Sequence, residues 1–212
     1  MKKQALIIVS LIVISCSSTQ LVESWKNPDI AAYEPNKVLI VGLTSDPAAR
    51  QQFENKLKNQ LQLRGYEAVM SSEIFKNSLN TVRMTEAELD ELENQLVADD
   101  FDTILLTKII GVDDKIAYRK NYSGYDETYR KFKEDYLMYQ DIYYNPDYYD
   151  DYVIYHAETS MYCICQTKDR ELLWKGYINI TDPRSIEKTV NEYVTLVLIV
   201  LEEEHIIKPK LL

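Results

Sequence analysis

The sequence predicts an α/β fold: a mixed sheet, part parallel and part antiparallel, packed by about three helices and carrying a Tyr-rich insertion. Three observations lead there. Lys37 to Leu43 is an unbroken run of β-branched and aliphatic residues, as in a strand buried on both faces. Asp46 and Thr85 each precede a segment with apolar residues at helical spacing, so strands and helices alternate in the first half of the chain. From Val153 to Gln166 the period changes to two, the mark of a pleated strand with two distinct faces. Apolar content of 46% against 27% charged residues is that of a folded domain.

The elements follow in order. Lys2 and Lys3 precede an apolar run from Ala5 to Ile14 that only Ser10 interrupts. A charged head and an apolar body of about ten residues describe an export signal, too short to span a bilayer as a finished helix. The run closes on Val13-Ile14-Ser15-Cys16. This resembles the lipobox of bacterial lipoproteins, usually Leu-(Ala/Ser)-(Gly/Ala)-Cys, with Val13 in place of leucine and Ser15 in place of glycine or alanine. The resemblance implies that residues 1–15 are a signal peptide and that Cys16 becomes the acylated first residue of the mature protein. Residues 16–36 then read as a lipid-anchored tether and 37–212 as a single α/β domain. No aspartate follows Cys16, so by the enterobacterial sorting rule the destination is the outer membrane, on a face the sequence does not specify. Within the tether, Trp25 in Ser24-Trp25-Lys26-Asn27-Pro28 is expected to pin the segment to the domain by lying in a surface groove.

After the Lys37 strand, Asp46-Pro47 supplies an N-cap with proline at the first helical position. Phe53, Leu57 and Leu61 form the inward stripe of that helix. Arg50, Glu54 and Lys58 lie off it, and Arg64-Gly65 is a suitable stop. Tyr66 to Met70 is the second strand, giving a right-handed β-α-β unit. Thr85-Glu86-Ala87-Glu88 has capping-box spacing before a helix that turns Leu89, Leu92 and Leu96 inward. Asp102 to Val112 is the third strand. After the insertion, Val153, Tyr155, Ala157, Thr159, Met161, Cys163 and Cys165 share one strand face. His156, Glu158, Ser160 and Tyr162 share the other, expected to be half-exposed. Glu171 to Ile180 pairs with this strand through a turn at Thr167–Arg170. Asp182-Pro183 then caps a last helix, strongly apolar from Val194 to Leu201.

The anchor cysteine, the Val-Leu-Ile-Val-Gly-Leu strand, the helix ending before Arg64-Gly65-Tyr66 and Leu173-Trp174-Lys175-Gly176 together carry a wider resemblance. The chain is similar to the domain of the N-terminal part of the Tol–Pal translocation protein, the curli-secretion lipoprotein and related envelope lipoproteins. With Ser24-Trp25-Lys26-Asn27-Pro28 added it resembles a Bacteroidota-type family of outer-membrane lipoproteins. These motifs are structural and carry no catalytic residue over.

Several chemistries lack their residues. The loop Gly42-Leu43-Thr44-Ser45-Asp46-Pro47 has one glycine and puts a carboxylate where a phosphate would bind. Paired His-x-Lys motifs are missing, since the only histidines, His156 and His205, precede Ala157 and Ile206. There is no Gly-x-Ser-x-Gly elbow. Cys163 and Cys165 read as two buried small hydrophobes, because an extended two-residue spacing disfavours a bond between them. His156 and Glu158 read as solvated polar residues in preference to metal ligands. No catalytic residue, metal or cofactor is expected. A net charge of -10 disfavours nucleic acid and anionic headgroups as partners, which leaves the acyl chains on Cys16 as the hold on the membrane.

Tyrosine is the compositional anomaly, seventeen residues against four phenylalanines and two tryptophans. Most fall in the insertion at about 115–152, ending Tyr143-Tyr144-Asn145-Pro146-Asp147-Tyr148-Tyr149-Asp150-Asp151-Tyr152. Tyrosine offers a flat apolar face and a hydroxyl at little entropic cost, which suits recognition. The segment reads as a structural arm over the sheet, as a surface for an envelope protein partner, or as a glycan-stacking platform for peptidoglycan fragments. Candidate binding residues are Trp25, Tyr143, Tyr144, Tyr148, Tyr149 and Tyr152. The expected role is non-enzymatic support of assembly or secretion complexes.

Overall fold

The structure is a computed structural model and describes residues 17–30, 33–75, 84–112, 132–133, 136–137, 154–164, 171–181, 183 and 185–209. Six strands form one sheet: β1 (Thr19–Lys26), β2 (Lys37–Leu43), β3 (Glu67–Met70), β4 (Thr103–Val112), β5 (Ile154–Cys163) and β6 (Leu172–Thr181). Their order is β1-β6-β5-β4-β2-β3. The β3–β2–β4 pairs are parallel and the β4–β5–β6–β1 pairs antiparallel, so the mixed sheet is as expected. Four helices are described: α1 (Pro47–Gln62), the short α2 (Ser71–Ile74), α3 (Glu86–Ala98) and α4 (Ile186–Glu203).

Local chemistry sets most boundaries where the sequence puts them. Asp46 accepts from the amides of Ala48 at 2.8 Å and Ala49 at 3.0 Å, with Pro47 just inside α1. The turn that follows that helix holds Gly65, whose φ of 89° lies where a side chain is disfavoured. Thr85 and Glu88 close a reciprocal capping box on α3. The last helix differs: Ser185, not Asp182-Pro183, is its cap, its hydroxyl accepting from the Lys188 amide at 3.2 Å.

The sheet is covered on both faces. On the first, Phe53, Leu57 and Leu61 of α1 and the apolar side of α4 pack onto Ile40, Leu105, Met161 and Trp174. Val194, Val197, Leu198 and Leu201 of α4 are nearly or fully buried, each contributing about 1.5–3 kcal/mol. On the second face Leu89, Leu92 and Leu96 of α3 meet Leu39, Leu106 and Tyr162. Phe132 and Tyr136, from within the insertion, are buried in this second core, with ring centroids 5.9 Å apart. Phe132 also meets Tyr162 edge-on. Lys133 between them pairs with Glu86 and Asp90 of α3.

Four expectations are corrected. Residues 19–26, expected within a tether, are the edge strand β1, hydrogen-bonded along β6. Arg50 and Glu54 of α1, expected off the buried stripe, are buried, because that helix meets the sheet, α2 and α4 at once. The face of β5 bearing Glu158, Ser160 and Tyr162 is buried too, because α3 packs on this side of the sheet and Phe132 and Tyr136 join it against Tyr162. Cys163, expected as a free thiol, is disulfide-bonded to a cysteine outside the described residues. The objection to a bond required one extended strand through both 163 and 165, and β5 ends at Cys163.

Candidate functional site

The topology singles out one end of the sheet. From β2 the chain crosses to β3 through α1 on the first face. From β3 it returns past β2 to β4 through α3 on the second face. The strand order thus reverses between β2 and β4, and the carboxyl ends of strands at such a switch point are where open α/β sheets leave a crevice for ligands. A pocket of about 120 Å³ lies there, between α1 and α4. Gly42 and Thr44 at the end of β2, Thr107 and Ile109 of β4, Ile180 of β6 and Tyr193 of α4 are among its walls, which are almost entirely carbon.

Several of its polar groups are hydrogen-bonded to one another or to side chains just behind the wall. Thr107 Oγ1 and Thr159 Oγ1 share a hydrogen bond of 2.8 Å, and Thr159 Oγ1 lies 2.8 Å from Tyr193 Oη. Arg50 Nε donates to Glu54 Oε1 at 3.0 Å and its Nη2 to Ser71 Oγ at 2.7 Å. Glu54 also accepts from the Gly42 amide at 3.0 Å and from the Ser71 hydroxyl. Gly42 lets β2 pack closely on α1: a Cβ there would stand 3.3 Å from the Phe53 ring, which would have to shift by a few tenths of an ångström.

A second buried pair lies across the sheet. Lys108 Nζ is 2.7 Å from Glu158 Oε1, which also accepts from the Ser160 hydroxyl. Glu54 and Glu158 thus occupy opposite faces, each held by its own cation, and do not form an acid–base dyad. Among the described residues, no group of three His, Cys, Asp or Glu side chains is placed to hold a metal ion. Instead, His156 Nδ1 lies 2.7 Å from Asn179 Oδ1.

Of the residues expected to matter, Cys16, Tyr143, Tyr144, Tyr148, Tyr149 and Tyr152 lie outside the described residues. Trp25 is on β1 opposite Lys175, half-buried and packed against the second core. The structure does not bring it to the pocket. The motif around it is structural: Ser24 donates to the Glu204 carboxylate, which also accepts from Trp174 Nε1. The Asn27 side chain donates to the Leu172 carbonyl at 3.2 Å. Sequence reasoning missed Arg50, Glu54, Thr107, Thr159 and Tyr193. The only signal was a charged pair four residues apart beside an apolar helical stripe.

What the fold and site define is an open mixed α/β sheet with an apolar switch-point pocket. No family model matches the chain, and no curated protein matches it. Among solved structures, it is similar to the PelC dodecamer from Paraburkholderia phytofirmans, at 11% identity over 85% of this chain and 94% of that one, with a TM-score of 0.43. It is also similar to lipoprotein GNA1162 from Neisseria meningitidis, at 14% identity over 80% of this chain and 99% of that one, with a TM-score of 0.40. At these values the likenesses carry no functional weight.

Proposed function

We propose that this is an envelope lipoprotein, acylated on Cys16 and seated on the outer membrane, that supports an assembly or secretion complex through protein contacts and without catalysis. The observation that carries the reading is how little chain separates the lipobox from the folded domain. The Ser18 amide and hydroxyl both donate to Glu192 Oε2 of α4 at 2.6 Å. The Ser18 carbonyl accepts from the Thr181 amide at 2.7 Å, and β1 begins at Thr19.

Only Ser17 lies between Cys16 and this seat, and one residue spans at most about 3.6 Å. A lipid on Cys16 would hold the domain against the bilayer and not on a leash. It would also orient it. The start of β1 lies at the same end of the sheet as the carboxyl ends of β6, β4 and β2. The insertion joins β4 to β5, so it leaves and re-enters the sheet at that end as well. An insertion rooted at the membrane-facing end suits a partner that is itself an envelope protein. Among the described residues, no helix is long and apolar enough to cross a membrane.

The test is affinity purification from detergent-solubilised envelope, comparing the native protein with one in which Tyr143, Tyr144, Tyr148, Tyr149 and Tyr152 of the insertion are replaced by serine. Phe132 and Tyr136 stay, because they belong to the core. A near-stoichiometric partner that the variant loses supports the adaptor reading. Absence of any partner from both samples counts against it and favours a glycan ligand, measured as a melting-temperature rise with peptidoglycan fragments.

A further inference from the structure

We infer that the switch-point pocket holds the end of one aliphatic acyl chain, the chain carried by Cys16. The inference rests on the proposed acylation and adds a ligand site to it. Both walls nearest the amino terminus of the domain belong to the pocket. Ile180 of β6 lines it and is the register partner of Thr19, three residues after Cys16. Thr189, Val190 and Tyr193 of α4 line it too, and Glu192 beside them is the residue that holds Ser18. The attachment point and the pocket therefore share one strand pair and one helix.

The chemistry of the wall selects the ligand. It is nearly all carbon, and the neighbouring charges are already bound, Arg50 by Glu54 and Lys108 by Glu158. A phosphate, sugar or carboxylate would find no charge waiting for it. At about 120 Å³ the space is slightly smaller than the roughly 150 Å³ apolar cavity that takes a benzene molecule. It fits the terminal methylenes of a chain and not a whole lipid. Two hydrogen bonds link the Thr107, Thr159 and Tyr193 hydroxyls, so these groups face one another more than the occupant.

The experiment uses the full chain in cells fed a fatty acid with a terminal diazirine, followed by irradiation and mass-spectrometric mapping. The expected result is label on Cys16 and an intramolecular crosslink to peptides of α1 or α4 around Ala49 and Val190. Filling the pocket with Val190→Trp should lower that crosslink about tenfold while Cys16 stays labelled. Ala49→Leu, which fills it from α1, guards against misfolding of the first variant. Labelled Cys16 with crosslinks only to lipids or other proteins overturns the inference and leaves the anchor intact. A crosslink in the pocket that persists in Cys16→Ser overturns it too, since the chain would then come from a bilayer lipid. No label on Cys16 at all refutes the acylation itself.

Discussion

The indole of Trp174 lies against Gly176, two residues along the same strand, so closely that a Cβ on Gly176 would stand 2.6 Å from the ring. Trp174 is fully buried in the first core, and its Nε1 donates to Glu204 at 3.1 Å. Large ring and absent side chain make one packing unit. Gly176→Ala should force the indole off its rotamer and cost about 1–3 kcal/mol, read as a lower melting temperature with an altered near-ultraviolet tryptophan signal. An unchanged melting temperature would show that the ring relaxes freely.

Arg50 and Glu54 make the second prediction. Their side chains are 6% and 0% exposed, and Glu54 also binds Gly42 and Ser71. Arg50→Ala strands a buried carboxylate and should cost about 3–5 kcal/mol, whereas Arg50→Met with Glu54→Leu should be much milder. Urea denaturation of both variants checks this. If the double replacement is the worse of the two, the pair is not the source of the cost.

The insertion carries the third. Because Phe132 and Tyr136 are buried against Tyr162 and α3, Phe132→Ala should destabilise the whole domain by about 3–5 kcal/mol. Loss of stability confined to the insertion, with the global unfolding midpoint unmoved, would contradict the packing described.

The fourth concerns pH. Burial pushes the Glu192 carboxyl up, but the Ser18 hydroxyl and amide and Lys188 outweigh it and hold the group below its ordinary 4.5. A carboxylate depressed in the folded state gives stability that is present above the unfolded value and lost as pH falls through the folded one. Glu73, held down by its Lys58 hydrogen bond, and Glu88, held down by Thr85, titrate in the same direction. The contribution of Glu192 is therefore read as a difference. Glu192→Gln should be less stable than the native chain at pH 7, and the gap should narrow progressively as pH falls below 4.5. A gap that does not change with pH would mean that the carboxylate charge plays no part in seating Ser18.

At the alkaline end the sign reverses. Burial pushes the Tyr33 phenol well above its ordinary 10.0, and the hydrogen bond to Thr103 offsets only part of that. A raised folded value keeps its stability below about pH 10 and loses it as pH rises further. Tyr33→Phe should flatten the fall in unfolding midpoint above pH 10; an unaltered slope would assign the fall to other groups.

Particular residues show why parts of this were legible beforehand. Asp46-Pro47 and Thr85–Glu88 announce helices because a cap is satisfied within four residues. The alternation in β5 assigns Thr159 and Glu158 to opposite faces because a pleat has period two. β1 was not legible. It is an edge strand with Val22 53% exposed, and a bulge between Leu21 and Glu23 breaks its alternation. Nor were Arg50 and Glu54, since hydrophobic pattern cannot see that an amide and a serine from elsewhere await a charged pair.

By itself the sequence determined the alternation of elements and the mixed sheet, because caps and periods are local properties of a chain; it also supplies the lipobox on which the proposed address rests. Tertiary structure alone decided that the supposed tether is a strand, that two ion pairs are buried, and that the apolar pocket lies at the end of the sheet where the lipid would be attached. Each of these depends on which distant residues meet. Ile180 and Thr19 are far apart in the chain, and only the pairing of β6 with β1 brings the pocket wall to the start of β1.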